Sequence, residues 1–170
     1  MPQTIAEKAA AIVRDAGGRI VGRTRFQKVA YLLSAAGLDE SFNFEYRHYG
    51  PYSENLAIAA RIASLTGEIK EEEHQASWGG KYSIFSVDTQ FQTNSSELRS
   101  RLATIASGAD ALMLELAATA VFLAREGYVE PWTETARRKP EKAEEGRLDK
   151  AKQFYLTIRE LPTPQRLPQI

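Results

Sequence analysis

The sequence predicts a mostly helical α+β fold, and three observations predict it. Apolar residues recur at spacings of three and four along most segments, the spacing of one helix face. Residues 42–46 alternate apolar and polar side chains, which is the period of a short strand. Two runs, residues 68–74 and 81–88, flank the turn-rich Ser77, Trp78, Gly79 and Gly80 in the manner of a β-hairpin.

Taken in order, Thr4 can cap a first helix reaching Asp15, with Ile5, Ala9, Ile12 and Val13 as its stripe and Gly17-Gly18 as its end. A short link containing Ile20 and Val21 follows. Thr24 then opens a second helix whose core face is Phe26, Val29, Ala30 and Leu33, with Arg25, Gln27 and Lys28 off that stripe and Gly37 as the stop. Phe42, Phe44 and Tyr46 alternate with Asn43 and Glu45 as a half-buried strand running into a corner at residues 46–53. There Gly50-Pro51 forces a turn, because proline fixes its own φ and disfavours helix in the residue before it. Ser53 caps a third helix over residues 54–65, with Glu54 near the positive end of its dipole and Gly67 ending it.

The hairpin register is open at this point, since Tyr82 and Ile84 claim one face while Phe85 and Val87 claim the other. Asn94 with Glu97 resembles a capping box for a fourth helix striped by Leu98, Leu102 and Ile105. Residues 109–126 form a fifth helix, apolar nearly all round. Pro131 suits the first turn of a short sixth helix that reaches Arg138 and is broken by Pro140. Leu148, Ala151, Phe154, Tyr155, Ile158 and Leu161 stripe the last helix, and residues 162–170, with three prolines, are expected to fray.

Composition narrows the function. The 170 residues suit one ordinary domain, and 22 basic residues balance 22 acidic ones, so no global field draws in nucleic acid or an anionic membrane. Without cysteine there are no disulfides, thiolate ligands or thiol nucleophiles, and a cytoplasmic location is expected. The N-terminus lacks the basic end and apolar run of a signal peptide. Residues 109–125, interrupted by Asp110 and Glu115, read as a buried core helix rather than a membrane span.

Helix, helix, short strand, helix and then a two-stranded ribbon is the order of a winged helix-turn-helix with an enlarged connection at residues 42–52. The expected organisation is a single domain over residues 1–161, divided into a winged-helix-like half (1–90, with the hairpin as wing) and a packed C-terminal helical layer (94–161). The local residues sharpen this. Arg23-Thr24-Arg25-Phe26-Gln27-Lys28-Val29-Ala30-Tyr31-Leu32-Leu33, followed by Phe44, Tyr46, His48, Tyr49-Gly50-Pro51-Tyr52-Ser53 and Leu56, resembles the pattern of YwgA-like bacterial proteins, and more distantly the Panacea domain of SocA-type antitoxins. The match covers residues 19–70 well, the hairpin loosely and the C-terminal helices only by arrangement. It implies a non-enzymatic bacterial regulatory module, in some relatives an antitoxin that neutralises a toxin by direct contact, and it carries over no catalytic residues and no cofactor.

Read as a DNA-binding fold, the third helix offers Arg61 as its one basic side chain among Leu56, Ala57, Ile58, Ala59, Ala60, Ile62 and Ala63, so the helix is expected to be buried. Glu54 at its start and Glu71, Glu72 and Glu73 on the ribbon, offset by Lys70 and Lys81, further disfavour a duplex. Positive charge clusters at Arg19, Arg23, Arg25 and Lys28, and again at Arg137, Arg138, Lys139 and Lys142. The second cluster is expected to pair with local acids such as Glu141, Glu144 and Glu145. The first has fewer acids and, placed beside Arg47 and His48, would form an anion or partner site. His48 and His74 have no second ligand at metal spacing, and no nucleophile elbow, phosphate loop or dinucleotide fingerprint occurs. Trp78 at the hairpin tip either folds back on the sheet or stands out as an anchor, and Glu115 either pairs with a base or marks a solvent side.

The expected site is therefore Arg23, Arg25, Lys28, Arg47, His48, Tyr52 and Trp78, with no catalytic, metal or cofactor residues. The expected function is a non-catalytic antitoxin-like or adaptor module whose partner is a protein, either toxin or effector. A winged-helix DNA-binding regulator is the alternative, and an uncharacterised enzyme the second alternative.

Overall fold

The computed structural model describes residues 2–88 and 96–170. The fold is α+β and mostly helical. Thr4 Oγ1 accepts the Glu7 amide at 3.1 Å and opens α1 (Ile5–Asp15), as its side-chain chemistry predicts. The link after Gly17 and Gly18 is a strand, β1 (Arg19–Val21), whose central Ile20 is fully buried. Three residues are too few to display the alternation by which a strand is read from sequence, and only pairing reveals this one. Helix α2 (Arg23–Ala35) starts one residue before Thr24, on Gly22, whose φ of +99° suits glycine and which supplies no capping side chain.

The corner at residues 46–53 is a second departure. Its turn falls at His48-Tyr49, and Gly50-Pro51 lies in a strand: β2 (Glu45–Arg47) pairs antiparallel with β3 (Gly50–Tyr52), setting Tyr46 opposite Pro51. Pro51 is tolerated because this two-stranded ribbon leaves an edge free. Ser53 Oγ then accepts the Leu56 amide at 3.1 Å to begin α3 (Glu54–Thr66), which ends on left-handed Gly67.

The hairpin of β4 (Lys70–Gln75) and β5 (Lys81–Ser86) resolves the register, with Glu71 opposite Phe85, Glu73 opposite Ser83 and His74 opposite Tyr82. Phe85 and Ser83 are buried, and Tyr82 lies outward with His74 stacked on it. Strand β1 adds to the other edge of β5, giving the order β1-β5-β4. Asn94 lies outside the described residues. Ser96 is the cap of α4 (Glu97–Ser107), its Oγ accepting the Arg99 amide at 3.1 Å.

Asp110 caps α5 (Ala111–Arg125), against which α6 (Pro131–Arg138), α7 (Arg147–Arg159) and α2 all pack. No described helix is long and apolar enough to cross a membrane. The tail expected to fray is docked. Leu161, Thr163 and Leu167 are buried, the Gln165 amide donates to Ala36 O at 3.0 Å, and the Tyr155 hydroxyl donates to Pro168 O. The prolines set an extended course for this segment, and Leu167 supplies the anchor.

Arginines join the layers by closing helix ends. Arg25 donates to Val21 O and Ser107 O, both at 3.0 Å, and to Ala109 O, while Arg125 donates to Ala35 O at 2.8 Å. Carbonyls at helix C-termini lack intrahelical partners, so a guanidinium there satisfies both hydrogen bonding and dipole. Arg99 does more, pairing with buried Asp15 and with buried Asp39 at 3.0 Å while donating to Leu38 O at 2.9 Å. Arg99→Met would strand two buried carboxylates, and we expect a loss of about 3–5 kcal/mol in chemical denaturation at neutral pH. Adding Asp15→Asn and Asp39→Asn to that variant should recover part of the loss; no recovery would assign it to packing instead.

Candidate interaction groove

Gln27 and Lys28 organise the site from a position that the helical stripe placed outside the core. Both are buried, Lys28 with 1 % of its surface exposed. Gln27 brackets Ser53, its Nε2 donating to Ser53 O at 2.9 Å and its Oε1 accepting the Ser53 amide at 2.8 Å. Lys28 Nζ donates to Pro51 O at 2.8 Å. Two adjacent side chains of α2 thereby satisfy buried backbone groups of β3 and of the α3 cap. The apolar stripe misses them because their burden is polar and their targets are main chain, which leaves no periodicity to read.

The corner is held from the opposite side by the C-terminal helices. Gly50, at φ +99°, lies against α5 so closely that a Cβ would come within 2.5 Å of Thr119 Oγ1. Lys139 Nζ reaches His48 O at 3.4 Å, and the Lys142 ammonium sits 4.8 Å from the centroid of the Tyr49 ring. Both lysines also converge on buried Glu115 Oε2, at 3.1 and 2.8 Å. Glu115 is thus the partner of Lys139 and Lys142, in place of the expected Glu141, Glu144 and Glu145. Arg137 and Arg138 pair instead with Glu134, whose carboxyl their hydrogen bonds hold down to about 2.

Burial pushes the Lys28 amine down to about 8, with Glu115 pulling the other way and Lys139 and Lys142 adding to the depression. Three ammonium groups around one carboxylate leave this interior short of negative charge. At Lys28, desolvation and the two like charges together outweigh the pull of Glu115.

In front of this corner a groove of about 440 Å³ runs between the start of α2, α3 and the β4–β5 ribbon. Phe26, Leu56, Ala57 and Phe85 provide apolar wall, while Arg23, Tyr52, Glu54, Arg61 and Glu71 supply polar lining. Helix α3 lies beside it and corrects the expectation of a buried helix. Its small residues Ala59, Ala60 and Ala63 face the core with Leu56, and its large ones point away, with Ile58 46 %, Ile62 37 % and Leu65 79 % exposed. These three lie at i, i+4 and i+7, one continuous apolar stripe on the outside. The available signal was the segregation of small from large residues: alanines mark the side where backbones approach.

The expected site residues do not gather in one place. Arg23 and Tyr52 line the groove, as does Lys28, whose ammonium is tied to Pro51. Arg25 is spent on the ends of β1 and α4, and partial burial lowers its pKa. Arg47 pairs with Glu45 and, at 3.6 Å, with Glu54, and stacks at 5.0 Å over Tyr52. His48 is exposed, edge-on to Tyr49. Trp78 stands out at the ribbon tip, 76 % exposed, its ring covering Gly80. Sequence reasoning missed Arg61 as a wall of the groove, having weighed it only for DNA. It also missed that the ribbon acids are matched individually: Glu71 with Arg23 at 3.1 Å, Glu72 with Lys70 at 2.8 Å and Glu73 with Lys81 at 3.1 Å.

No family model matches this chain, and neither curated proteins nor solved structures yield a match.

The depressed Lys28 amine has a measurable consequence. Below pH 8 both folded and unfolded chains carry the proton, and folding bears the full cost of burying the charge. Between 8 and the ordinary 10.5 the unfolded chain binds more protons, so stability rises with pH through this window. Lys28→Met removes the charge, and the stability of the unsubstituted chain relative to this variant should therefore increase by on the order of 2–3 kcal/mol from pH 7.5 to 10. Parallel denaturation series check this; a difference that stays constant with pH would show that Glu115 fully compensates the ammonium.

Proposed function

We propose that this chain is a non-catalytic bacterial regulatory module, antitoxin-like or adaptor-like, that acts by protein contact through the outer face of α3 and the adjoining groove. The observation that carries the reading is the exposed stripe of Ile58, Ile62 and Leu65, beside a groove with an apolar wall. Aliphatic side chains aligned over two helical turns and left in water favour an interface. Support for a winged-helix-like N-terminal half comes from the element order and from β1 completing a sheet with the ribbon, order β1-β5-β4, in which β4 and β5 would be the wing. The resemblance of the Gln27-Lys28 and Tyr49-Gly50-Pro51-Tyr52-Ser53 pattern to YwgA-like and Panacea proteins points the same way.

A DNA-binding regulator is the second reading. It is favoured by the individual ion pairing of Glu71, Glu72 and Glu73, which removes much of the repulsion that the bare acidic run implies. The apolar outer face of α3 weighs against it, because groove-reading helices present hydrogen-bonding side chains there.

Ile62→Glu and Leu65→Glu distinguish the two. Both positions are exposed, so we expect melting temperatures to stay close to that of the unsubstituted chain. Retention of a partner protein, identified by co-purification from a native host and reconstituted from pure components, should fall at least tenfold. Salt-sensitive duplex binding that survives both substitutions and is lost with Arg61→Ala would instead establish the second reading.

A further inference from the structure

We propose that the groove between α3 and the ribbon takes a segment of a partner protein that presents a large apolar side chain next to a carboxylate, with Arg61 as the residue that selects the acid. This rests on the protein-contact reading and adds the chemistry of the occupant. The apolar half follows from the walls. Ala57 and the exposed Ile58 of α3 line the groove above a floor of the buried Phe26, Leu56 and Phe85, and about 440 Å³ suffices for a large side chain with its flanking backbone.

The acidic half follows from counting charge along the groove. Glu54 already faces Arg47 at 3.6 Å, and Glu71 faces Arg23 at 3.1 Å. Arg47 is shared with Glu45, so Glu54 is only partly matched, but the groove lining carries Arg23, Lys28 and Arg61 against Glu54 and Glu71, and Arg61 makes no ion pair among the described residues; the net charge of the lining is positive. Arg23 adds to it at low cost. Its side chain is 74 % exposed, and its partner Glu71 keeps a 2.6 Å hydrogen bond from Ser83 Oγ when the guanidinium turns away. An exposed bridge of this kind is worth roughly 0–1 kcal/mol, so an incoming carboxylate can recruit both arginines. A basic segment meets the opposite situation, since Glu71 is engaged by both Arg23 and Ser83, Glu54 is partly matched by Arg47, and Arg61 repels it. A second copy of this chain fits poorly too, because antiparallel pairing of the α3 stripes about Ile62 brings the two Arg61 side chains near each other.

Selection of short random peptides displayed on phage against the full chain tests this. We expect the recovered peptides to combine Leu, Phe or Trp with a nearby Asp or Glu. Binding of a synthetic peptide of that class should fall about tenfold with Arg61→Ala, the loss typical of an interfacial charge pair, and further with Arg61→Glu. Exchanging the acid of the peptide for lysine should restore binding to Arg61→Glu. Ala57→Trp, which fills the groove, should abolish binding to every peptide.

Peptides blocked by Ala57→Trp but neutral or basic in character, or indifferent to Arg61, would overturn the acid selection and leave the contact reading standing. Recovery only of peptides that ignore both Ala57→Trp and Ile62→Glu would overturn the two together. Displacement of groove-bound peptide by duplex DNA would transfer the groove to the DNA-binding reading and overturn this one.

Discussion

The hold of Gln27 and Lys28 on residues 50–53 is the constraint on which the rest of the N-terminal half depends. A chain that passes from a strand through proline into a helix leaves main-chain groups unpaired, and here they are buried with Ser53 at 0 % exposure. The Ser53 amide has Gln27 Oε1 as its acceptor, and Pro51 O has Lys28 Nζ as its donor. Leaving either unsatisfied costs about 1–3 kcal/mol. Because both come from successive residues of α2, the start of α3 is fixed relative to α2 through hydrogen bonds rather than an extensive helix-on-helix face. The groove exists because α3 is held off α2 in this manner and rests on α1 instead.

A buried ammonium is an expensive means of satisfying one carbonyl, and the surrounding charges show how the cost is limited. Glu115 lies close enough to favour the charged form of Lys28 but is itself engaged by Lys139 and Lys142. Those two lysines also reach His48 O and the Tyr49 ring, so one carboxylate positions the side chains that close the far side of the corner. The C-terminal layer is therefore more than a support. Through Glu115 it determines where Tyr49, a wall of the groove, can stand. A buried carboxylate shared among lysines is poor at adding net stability and good at fixing a unique arrangement.

What the sequence made legible followed from local chemistry. Thr4, Ser53 and Gly67 marked helix ends because capping depends on residues adjacent in the chain, and Pro131 marked the first turn of α6 for the same reason. What it concealed depended on pairing across the chain. Strand β1 is defined by β5, more than sixty residues away, and the burial of Lys28 by a carbonyl 23 positions on. The Gly50-Pro51 dipeptide carried a strong turn signal, yet Gly50 lies inside a strand, where its lack of a Cβ admits Thr119 at a distance no side chain would allow and its φ of +99° separately favours glycine. The candidate site divided along the same line. Arg23 and Arg25 read alike as members of one basic cluster at the start of α2, yet Arg23 lines the groove with Tyr52 while Arg25 is a cap for α4, a role set by a helix eighty residues downstream.

Helix α3 shows why composition alone misjudged this surface. A helix rich in alanine and isoleucine reads as buried on all sides if every apolar residue is counted equally, but its two faces differ in size. Beyond Leu56, which is buried in the first turn, alanines allow α1 to approach closely, and Ile58, Ile62 and Leu65 lie outward. Exposing Ile58, Ile62 and Leu65 is thus a direct result of packing α3 on α1 through small side chains. A fold that needed only stability could place lysine or glutamate at those three positions without disturbing the α1 contact. These three aliphatic residues stand beside a groove lined by Phe26 and Phe85, with Arg61 at its edge forming no ion pair among the described residues, and it is on this surface, rather than on the aromatic corner behind it, that the proposed protein contact rests.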